Sequence, residues 1–555
     1  MGGESVKSTN GVASGPISFM KVFNAATEAV KQGGKRRGAN MAVLRIDHPD
    51  IEEFITCKDK DGDISNFNIS VGVTDDFMNA VAKGEDFALI HPHNGEVAKT
   101  VDAQKLFELL YTQAWKNGEP GILFLDTIND DHPIEDEIEA SNPCGETPLL
   151  PNESCNLGSI NLSNFYDSIG NNVDYARLAN ACRMAVRFLD NIIDLNSYPL
   201  PEIAAATQRT RKIGLGIMGF ADLLIKMKIR YGSPESIDLA KTIIGFMHEE
   251  AVTYSMELAE DYGPYPAYKE EYGHKQRNAT VITIAPTGTL SIIAGCSGGI
   301  EPNFAFKYIR RVMDTELEEV HPLYPKEGPV PDYFVTAQDI PPEEHVNMQA
   351  AFQEYTDNAI SKTINMSSDA TPEDVRKVFE QAYNMDCKGI TVYRDGSRAN
   401  QVLDTNNGTK SRPKARPTSL DGTTSKIKTG CGTMFGTINH DESGVCELFT
   451  RIGKSGGCAA AFTEATSRVV SIALRSGVHI DEIIGQLKNI HCPNGTWDNG
   501  TRIFSCPDAM ARLLLRHLDK DEPQETTNMP CPECQSPMIK ESGCYRCTCG
   551  YSRCG

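Results

Sequence analysis

The chain has 555 residues, 40% of them hydrophobic and 23% charged, with a formal net charge of −21. That length accommodates a large catalytic domain plus one or two smaller modules, and no apolar run approaches the roughly 20 residues a membrane helix needs. The negative charge excludes nonspecific adhesion to nucleic acid, "MGGESVKSTNGVASGP" shows no secretory signal, a cytoplasmic setting follows, and the seventeen cysteines point to metal or redox chemistry.

From Pro16 to about Asp395, helical patterns alternate with short β-rich runs, as in "ISFMKVFNAATEAVKQGG" followed by "MAVLRI". This predicts one large α/β domain over 1–398. "GLGIMG", Gly214 to Gly219, formally satisfies G-x-G-x-x-G, but it follows the basic "TQRTRK" and no acidic residue is placed to hold a ribose, so it is assigned to helix packing. Residues 399–428 are poor in apolar residues and rich in Asn, Thr, Gly, Ser, Pro and Lys, and read as a linker. "GTMFGTINHDESGVCELFTRIG" predicts a hairpin, and "AFTEATSRVVSIALRSG" and "HIDEIIGQLKNI" predict amphipathic helices. Together they make a small α/β domain over 429–518, tethered by an acidic segment to a cysteine-rich tail over 519–555.

The densest chemistry lies in "NPCGETPLLPNESCNLGS". Asn142 and Glu146 flank Cys144 at two-residue spacing, so on an extended backbone all three side chains leave one face, about 6.6 Å apart. A carboxylate beside the sulfur raises the thiol pKa, which disfavours an ordinary nucleophilic thiolate. The grouping suits a neutral S–H that gives up a hydrogen atom while the carboxylate takes a proton from a hydroxyl. Cys155 would supply reducing equivalents from the other side. For an isolated N-x-C-x-E, buried core cysteines around a proline turn are the commoner reading.

"NPCGETPLLPNESCNLGSINLSNF" resembles the active-site finger of ribonucleotide reductases. "KQGGKRRGANMAVLRIDHPDIEEFI", "RKIGLGIMGFADLL", "APTGTLSIIAGCSGGIEPNFAF" and "CKGITVYRDGSR" are similar, in the same order, to the large chain of the adenosylcobalamin-dependent (class II) enzymes. The resemblance implies a ten-stranded α/β barrel, incomplete at its N-terminal side, and reduction of ribonucleotides to 2′-deoxyribonucleotides by a thiyl-radical mechanism. Cys144 would carry the radical, Glu146 would be the base for the 3′ hydroxyl, Asn142 would orient the sugar, and Cys155 would be half of the redox pair. The family's other redox cysteine lies upstream of the first specificity loop, and this chain has no cysteine before Cys57. Either a separate N-terminal reductase fragment or subunit supplies it, or the sequence is a split, intein-interrupted or fragmentary product; alone, the chain is expected to turn over poorly or not at all.

The same resemblance assigns Gly15, Pro143, Gly145, and Pro286, Thr287, Gly288, Thr289, Leu290 and Ser291 to the substrate. The 286–291 run also reads as a strand, a turn and a helix start whose N–H groups suit an anion, or simply as a capped βα turn. Lys35, Arg36, Arg37 and Asn40 fall in the second specificity loop, which couples dNTP or ATP effectors to base choice at a homodimer interface; from charge alone they read as a solvated basic loop. "TVYRDG" has the single Tyr393, where class I enzymes carry two adjacent tyrosines, which argues for a cofactor-generated radical.

In the tail, Cys531-x2-Cys534 and Cys544-x2-Cys547 have the spacing of a zinc ribbon, with Cys549 an alternative to Cys547. The remaining pair, Cys549 and Cys554, resembles the mobile dithiol of reductase tails, recharged by thioredoxin or glutaredoxin. "FSCPDAMARLLL" resembles the TSCPD domain, with Phe504 replacing the threonine; Cys431, Cys492 and Cys506 read as metal ligands or as buried structural cysteines. Two alternatives to the class II reading are a class III glycyl-radical reductase, with Gly550 in "CTCGY", and a noncatalytic zinc-binding protein on a degenerate reductase fold. Substrates as di- or triphosphates are equally compatible with the sequence.

Overall fold

A computed structural model describes residues 2, 5–6, 11–32, 36–59, 64–312, 315–397, 414, 416–441, 444–453, 457–518, 526–535, 537–541, 544–547 and 551–554. The chain divides into two units, Met1–Asp404 and Thr405–Gly555.

In the first unit, helix α1 (Gly15–Ala29) leads to strand β1 (Asn40–Arg45), which pairs in parallel with β2 (Phe67–Val73). Helix α2 (Ala103–Asn117) is bounded by its own chemistry: Asp102 accepts from Lys105 N at its start, and Gly118 adopts φ +78° at its end. It returns the chain to β3 (Gly121–Phe124), a fully buried strand parallel to β2. The chain then crosses to a second group of strands running the other way. β4 (Asn156–Asn161) pairs in parallel with β5 (Ile213–Met218), and helix α3 (Tyr175–Leu195) packs against both. Residues 281–284 continue this group through parallel bridges from Leu215 to Ile282 and from Ile284 to Ile360. β6 (Thr363–Met366) and β7 (Gly389–Arg394) complete it, and β7 meets β3 antiparallel.

The result is a curved sheet made of two parallel groups of opposite direction, with its seam at β3 and β7. Two cores support the sheet. One, with Phe54, Phe77, Phe107 and Phe379, spans the seam and includes Ile122 of β3 and Ile364 and Val392 of β6 and β7; the other, with Leu189, Ile217, Phe220, Met247 and Phe352, lies at β5 and residues 281–284. Among the described residues β1 pairs only with β2 and β4 only with β5, so both outer edges of the curved sheet present unpaired strand positions.

"GLGIMG" forms a strand against which helix α3 packs. Residues 213–218 form the fully buried strand β5. The glycines allow close neighbours on both sides: a Cβ on Gly216 would lie 2.3 Å from the Thr283 carbonyl oxygen, and one on Gly214 would lie 2.5 Å from Leu157. Of the preceding basic residues, Arg211 and Lys212 are buried against acids while Arg209 is exposed. Arg211 is held by Asp190 and Asp194, and Lys212 by Glu153.

The second unit contains an antiparallel sheet of β8 (Asp421–Thr429), β9 (Gly432–Asp441) and β10 (Gly444–Ile452), with helices α4 (Cys458–Arg475), α5 (Ile480–Leu487) and α6 (Cys506–His517) around one apolar core. β8 lies inside the stretch expected to be linker. Its residues from Asp421 to Lys426 are exposed, so an edge strand there has the composition of a loop. The "SCPD" run makes the start of α6: Ser505 caps the helix, and Asp508, fully buried, accepts from the N–H groups of Asn489 and Phe504. Cys506 is buried, while Cys431 and Cys492 are exposed. A four-stranded antiparallel sheet over 526–554 forms the ribbon-like tail.

Candidate active site

The segment that links the two groups of strands carries the candidate catalytic residues. Ala140–Ser141 pairs antiparallel with Pro148–Leu149, and residues 142–147 form the turn between them. Asn142 closes that turn three ways: its N–H donates to Thr147 O at 3.3 Å, its carbonyl accepts from Gly145 N at 3.0 Å, and its side-chain Oδ1 accepts from Thr147 N at 3.0 Å. Gly145 sits at φ +84°, a conformation in which a side chain is strained. The backbone is therefore not extended here, and the expected single face of Asn142, Cys144 and Glu146 does not form. Cys144 is exposed at the tip, whereas Glu146 turns back and is 3% exposed.

This separation gives the two groups different chemistry. Burial pushes the Glu146 carboxyl above its ordinary value, and a hydrogen bond from the Asn142 side chain offsets this only in part. Its Oε2 is buried with no hydrogen-bond partner in the structure. A buried carboxylate oxygen without a partner can accept a hydrogen bond or a proton from a donor that reaches it.

The turn is held from both sides. Asn68, on β2, donates its side-chain N–H to Pro143 O at 2.6 Å, and the register places Asn68 opposite Met41, next to Asn40 on β1. On the other side Ala359 N donates to Glu146 O at 3.0 Å, and Ala359 O accepts from Ile284 N at 3.3 Å. Ile284 leads directly into Pro286. Glu146 is thus tied through a single residue to the strand that presents the 286–291 run. That strand is itself fixed by Asp357, which accepts from the N–H groups of Val281 and Ile282.

Within 286–291, Thr287 adopts φ +53° and its Oγ1 accepts from Gly299 N at 2.8 Å, while the helix begins at Gly288 and runs to Ala294. Gly288, Thr289 and Leu290 are exposed and Ser291 is buried. Cys155 immediately precedes β4 and its S–H donates to Asn156 O at 3.6 Å. Burial pushes its pKa up to about 12, with Lys212 opposing and Glu153 and Glu146 reinforcing the shift. Glu146 and Cys155 are therefore within electrostatic reach of each other.

The other expected positions are more dispersed. Gly15, at φ +73°, lies against Gly2 and Asp50. Arg36 and Arg37 form a two-residue strand with Lys31 and Gln32, and Asn40 donates to Thr27 Oγ1 at 2.7 Å. Lys35 and Cys549 lie outside the described residues, as do the side chains of Arg36, Arg37, Cys544 and Cys554. In the tail, the sulfurs of Cys531, Cys534 and Cys547 lie within 4.8 Å of one another, with Cys534 and Cys547 3.2 Å apart. Sequence reasoning missed Asn68, Asp357 and Ala359. An asparagine at a strand start, a lone aspartate and the backbone groups of an alanine at a bend carry no local signal of their own.

Residues 1–277 and 270–393 match the family model for the ribonucleotide reductase barrel domain, and residues 407–518 match that for the TSCPD domain. The chain is 46% identical over 446 residues to a vitamin B12-dependent ribonucleoside-diphosphate reductase of Thermoplasma acidophilum, covering 74% of this chain and 58% of that protein. It is 43% identical to one of Mycobacterium tuberculosis, covering 72% of this chain and 63% of that protein. Against a vitamin B12-dependent ribonucleotide reductase of Streptomyces coelicolor it is 29% identical, covering 89% and 65%. The chain thus spans less than two thirds of the length of these relatives. With the barrel model matched across most of its length, the chain belongs to the ribonucleotide reductase family.

Proposed function

We propose that this chain carries the radical and proton-transfer residues of an adenosylcobalamin-dependent ribonucleotide reductase, which converts ribonucleoside di- or triphosphates to 2′-deoxyribonucleotides in the cytoplasm. One observation carries the reading: an exposed Cys144 at the tip of a turn whose next carboxylate, Glu146, is buried with one oxygen unpartnered. Adenosylcobalamin would supply the radical chemistry, and Cys144 is the thiol whose hydrogen atom would be given up to it. Cys144 is exposed to such a source, and Ile292 and Ile293, exposed on the helix beginning at Gly288, offer an apolar surface for a large planar ring. The vitamin B12-dependent relatives do not favour the glycyl-radical alternative.

In this reading Cys144 exchanges hydrogen with the ribose 3′ carbon, and Glu146 Oε2 accepts the 3′-hydroxyl proton while Asn142 keeps the carboxylate aligned. The 2′ hydroxyl leaves as water, and the two electrons come from Cys155 and a second thiol as they close to a disulfide. Pro143 and Gly145 shape the sugar side of the turn, and the free N–H groups of the 288–290 helix start, with Ser291, hold the phosphates. Gly15 lines the substrate's path, and Lys35, Arg36, Arg37 and Asn40 belong to an effector loop for dNTP or ATP in a homodimer. The unpaired outer edges of β1 and β4 accept strands of a complementary reductase segment that brings the second thiol. In the tail, Cys531, Cys534, Cys544 and Cys547 hold Zn2+, a fit supported by the three clustered sulfurs. Cys549 and Cys554 act as the dithiol shuttle recharged by thioredoxin or glutaredoxin.

The test is nucleotide reduction by the chain combined with a polypeptide supplying the remaining barrel strands, adenosylcobalamin and dithiothreitol. Deoxynucleotide is expected with the native chain and none with Cys144→Ser, while the buried Cys182→Ser retains activity. A Cys144→Ser variant that still reduces nucleotides refutes the reading.

A further inference from the structure

We propose that Lys212 is a positioning residue for the Cys155 sulfur, held by Glu153 so that its ammonium stabilises the thiolate released when a Cys155 disulfide is reduced. The proposal rests on the reading of Cys155 as the redox thiol. Its basis is the register of β4 and β5. Asn156 pairs with Ile213, so Cys155 and Lys212 are the residues immediately before a matched position on neighbouring parallel strands. Lys212 is 1% exposed, as is the Glu153 side chain, and Lys212 Nζ donates to Glu153 Oε2 at 2.8 Å.

The two partners are unequally satisfied. Glu153 also accepts from Leu150 N at 2.7 Å and from Thr210 Oγ1 at 2.6 Å, so three donors hold it in place. Among the described residues the Lys212 ammonium, with three N–H groups, hydrogen-bonds to Glu153 alone. The carboxylate is anchored, and the ammonium has donor capacity to spare on the residue that the register sets next to the half-buried Cys155. A structural ion pair needs no neighbouring thiol, and burying one is costly unless each charge is well met.

The charged and titratable groups facing Cys155 are Lys212, Glu153 and Glu146. His132, kept neutral by burial with its pKa pushed down to about 4, faces Lys212 and Glu153. Of these, only Lys212 favours the thiolate. In the reductive step a thiolate of an external dithiol attacks the sulfur bonded to Cys155. A new S–S bond forms, the old one breaks, and its electron pair leaves on the Cys155 sulfur; the dithiol then closes to its own disulfide. A thiolate leaving into a half-buried site that two carboxylates also face is stabilised by a cation, and Lys212 is the cation that faces it.

The experiment measures the pH dependence of iodoacetamide alkylation at the Cys155 peptide of the full chain by mass spectrometry. Lys212→Met is expected to slow alkylation at pH 8 on the order of tenfold, equivalent to one pKa unit; Lys212→Arg is expected to preserve it and Glu153→Gln to accelerate it. The double variant Lys212→Met/Glu153→Gln, which leaves no unpaired buried charge, should still be slower than Glu153→Gln alone. A purely structural pair predicts that both single variants loosen the site and expose the thiol faster. That outcome, or an unchanged rate in Lys212→Met, overturns the proposal. Intact nucleotide reduction by Cys155→Ser would instead sink the redox reading and leave the alkylation result standing.

Discussion

Glu146→Gln separates the energetic cost of the active-site carboxylate from its use. In the folded chain the carboxyl titrates above the ordinary glutamate value of 4.5 because burial disfavours its charge. Between 4.5 and that raised value the folded state keeps a proton that the unfolded state has released. The native chain therefore loses stability as pH rises through this window, and the loss persists at neutral pH. Glutamine keeps an oxygen to accept the Asn142 hydrogen bond and replaces the unpartnered Oε2 with a neutral amide. Leaving a buried polar atom unsatisfied costs roughly 1–3 kcal/mol and more when it is charged, so exchanging the charged orphan for a neutral one should return about 1 kcal/mol at pH 8. At pH 4, where the native carboxyl is protonated, the two proteins should be nearly equal. The assay is thermal unfolding of native and Glu146→Gln chains at both pH values, with an expected gain of about 1–3 °C at pH 8 only. Turnover should fall by at least about a hundredfold, since proton transfer by a positioned base contributes that much. A gain of equal size at both pH values, or a less stable variant at pH 8, would refute the electrostatic reasoning.

Two other predictions concern the supports of the site. Asn68→Ala removes the side-chain hydrogen bond to Pro143 O; because Asn68 is exposed, stability should change by about 1 kcal/mol or less, while reduction slows about fivefold or more as the Cys144 tip loses its position, measured by urea unfolding and deoxynucleotide formation. Removal of metal by a strong chelator, or replacement of Cys531 and Cys534 by serine, should take zinc measured by mass spectrometry from about one per chain to none and increase proteolysis within residues 526–554, leaving the melting of the first unit unchanged.

The legible part of the site was chemical, and the illegible part was geometric. Cys144, Glu146 and Cys155 stood out because a thiol, an acid and a second thiol at short spacing have few uses together. Their arrangement did not, because Asn142 spends its side chain and backbone closing a turn, which spacing alone cannot distinguish from an extended run. The β5 strand was misread for a related reason: Arg211 and Lys212 carry charges that read as surface, while the acids that neutralise them, Asp190, Asp194 and Glu153, are distant in sequence. In the second unit the hairpin and both amphipathic helices were evident from their periodicity. The start of the sheet was not, since β8 exposes polar residues from Asp421 to Lys426 and buries Ile427 and Thr429 only near its end.

The turn bearing Cys144 is clamped at Pro143 to β2 and at Glu146, through Ala359, to the strand leading into Pro286. These anchors belong to the two groups of strands that run in opposite directions and meet at β3 and β7. The turn therefore acts as a cross-strut. A ligand seated on one group or a strand added at an outer edge would, by spreading or closing the gap between the groups, load the Cys144 turn in tension or compression, with no dedicated hinge required.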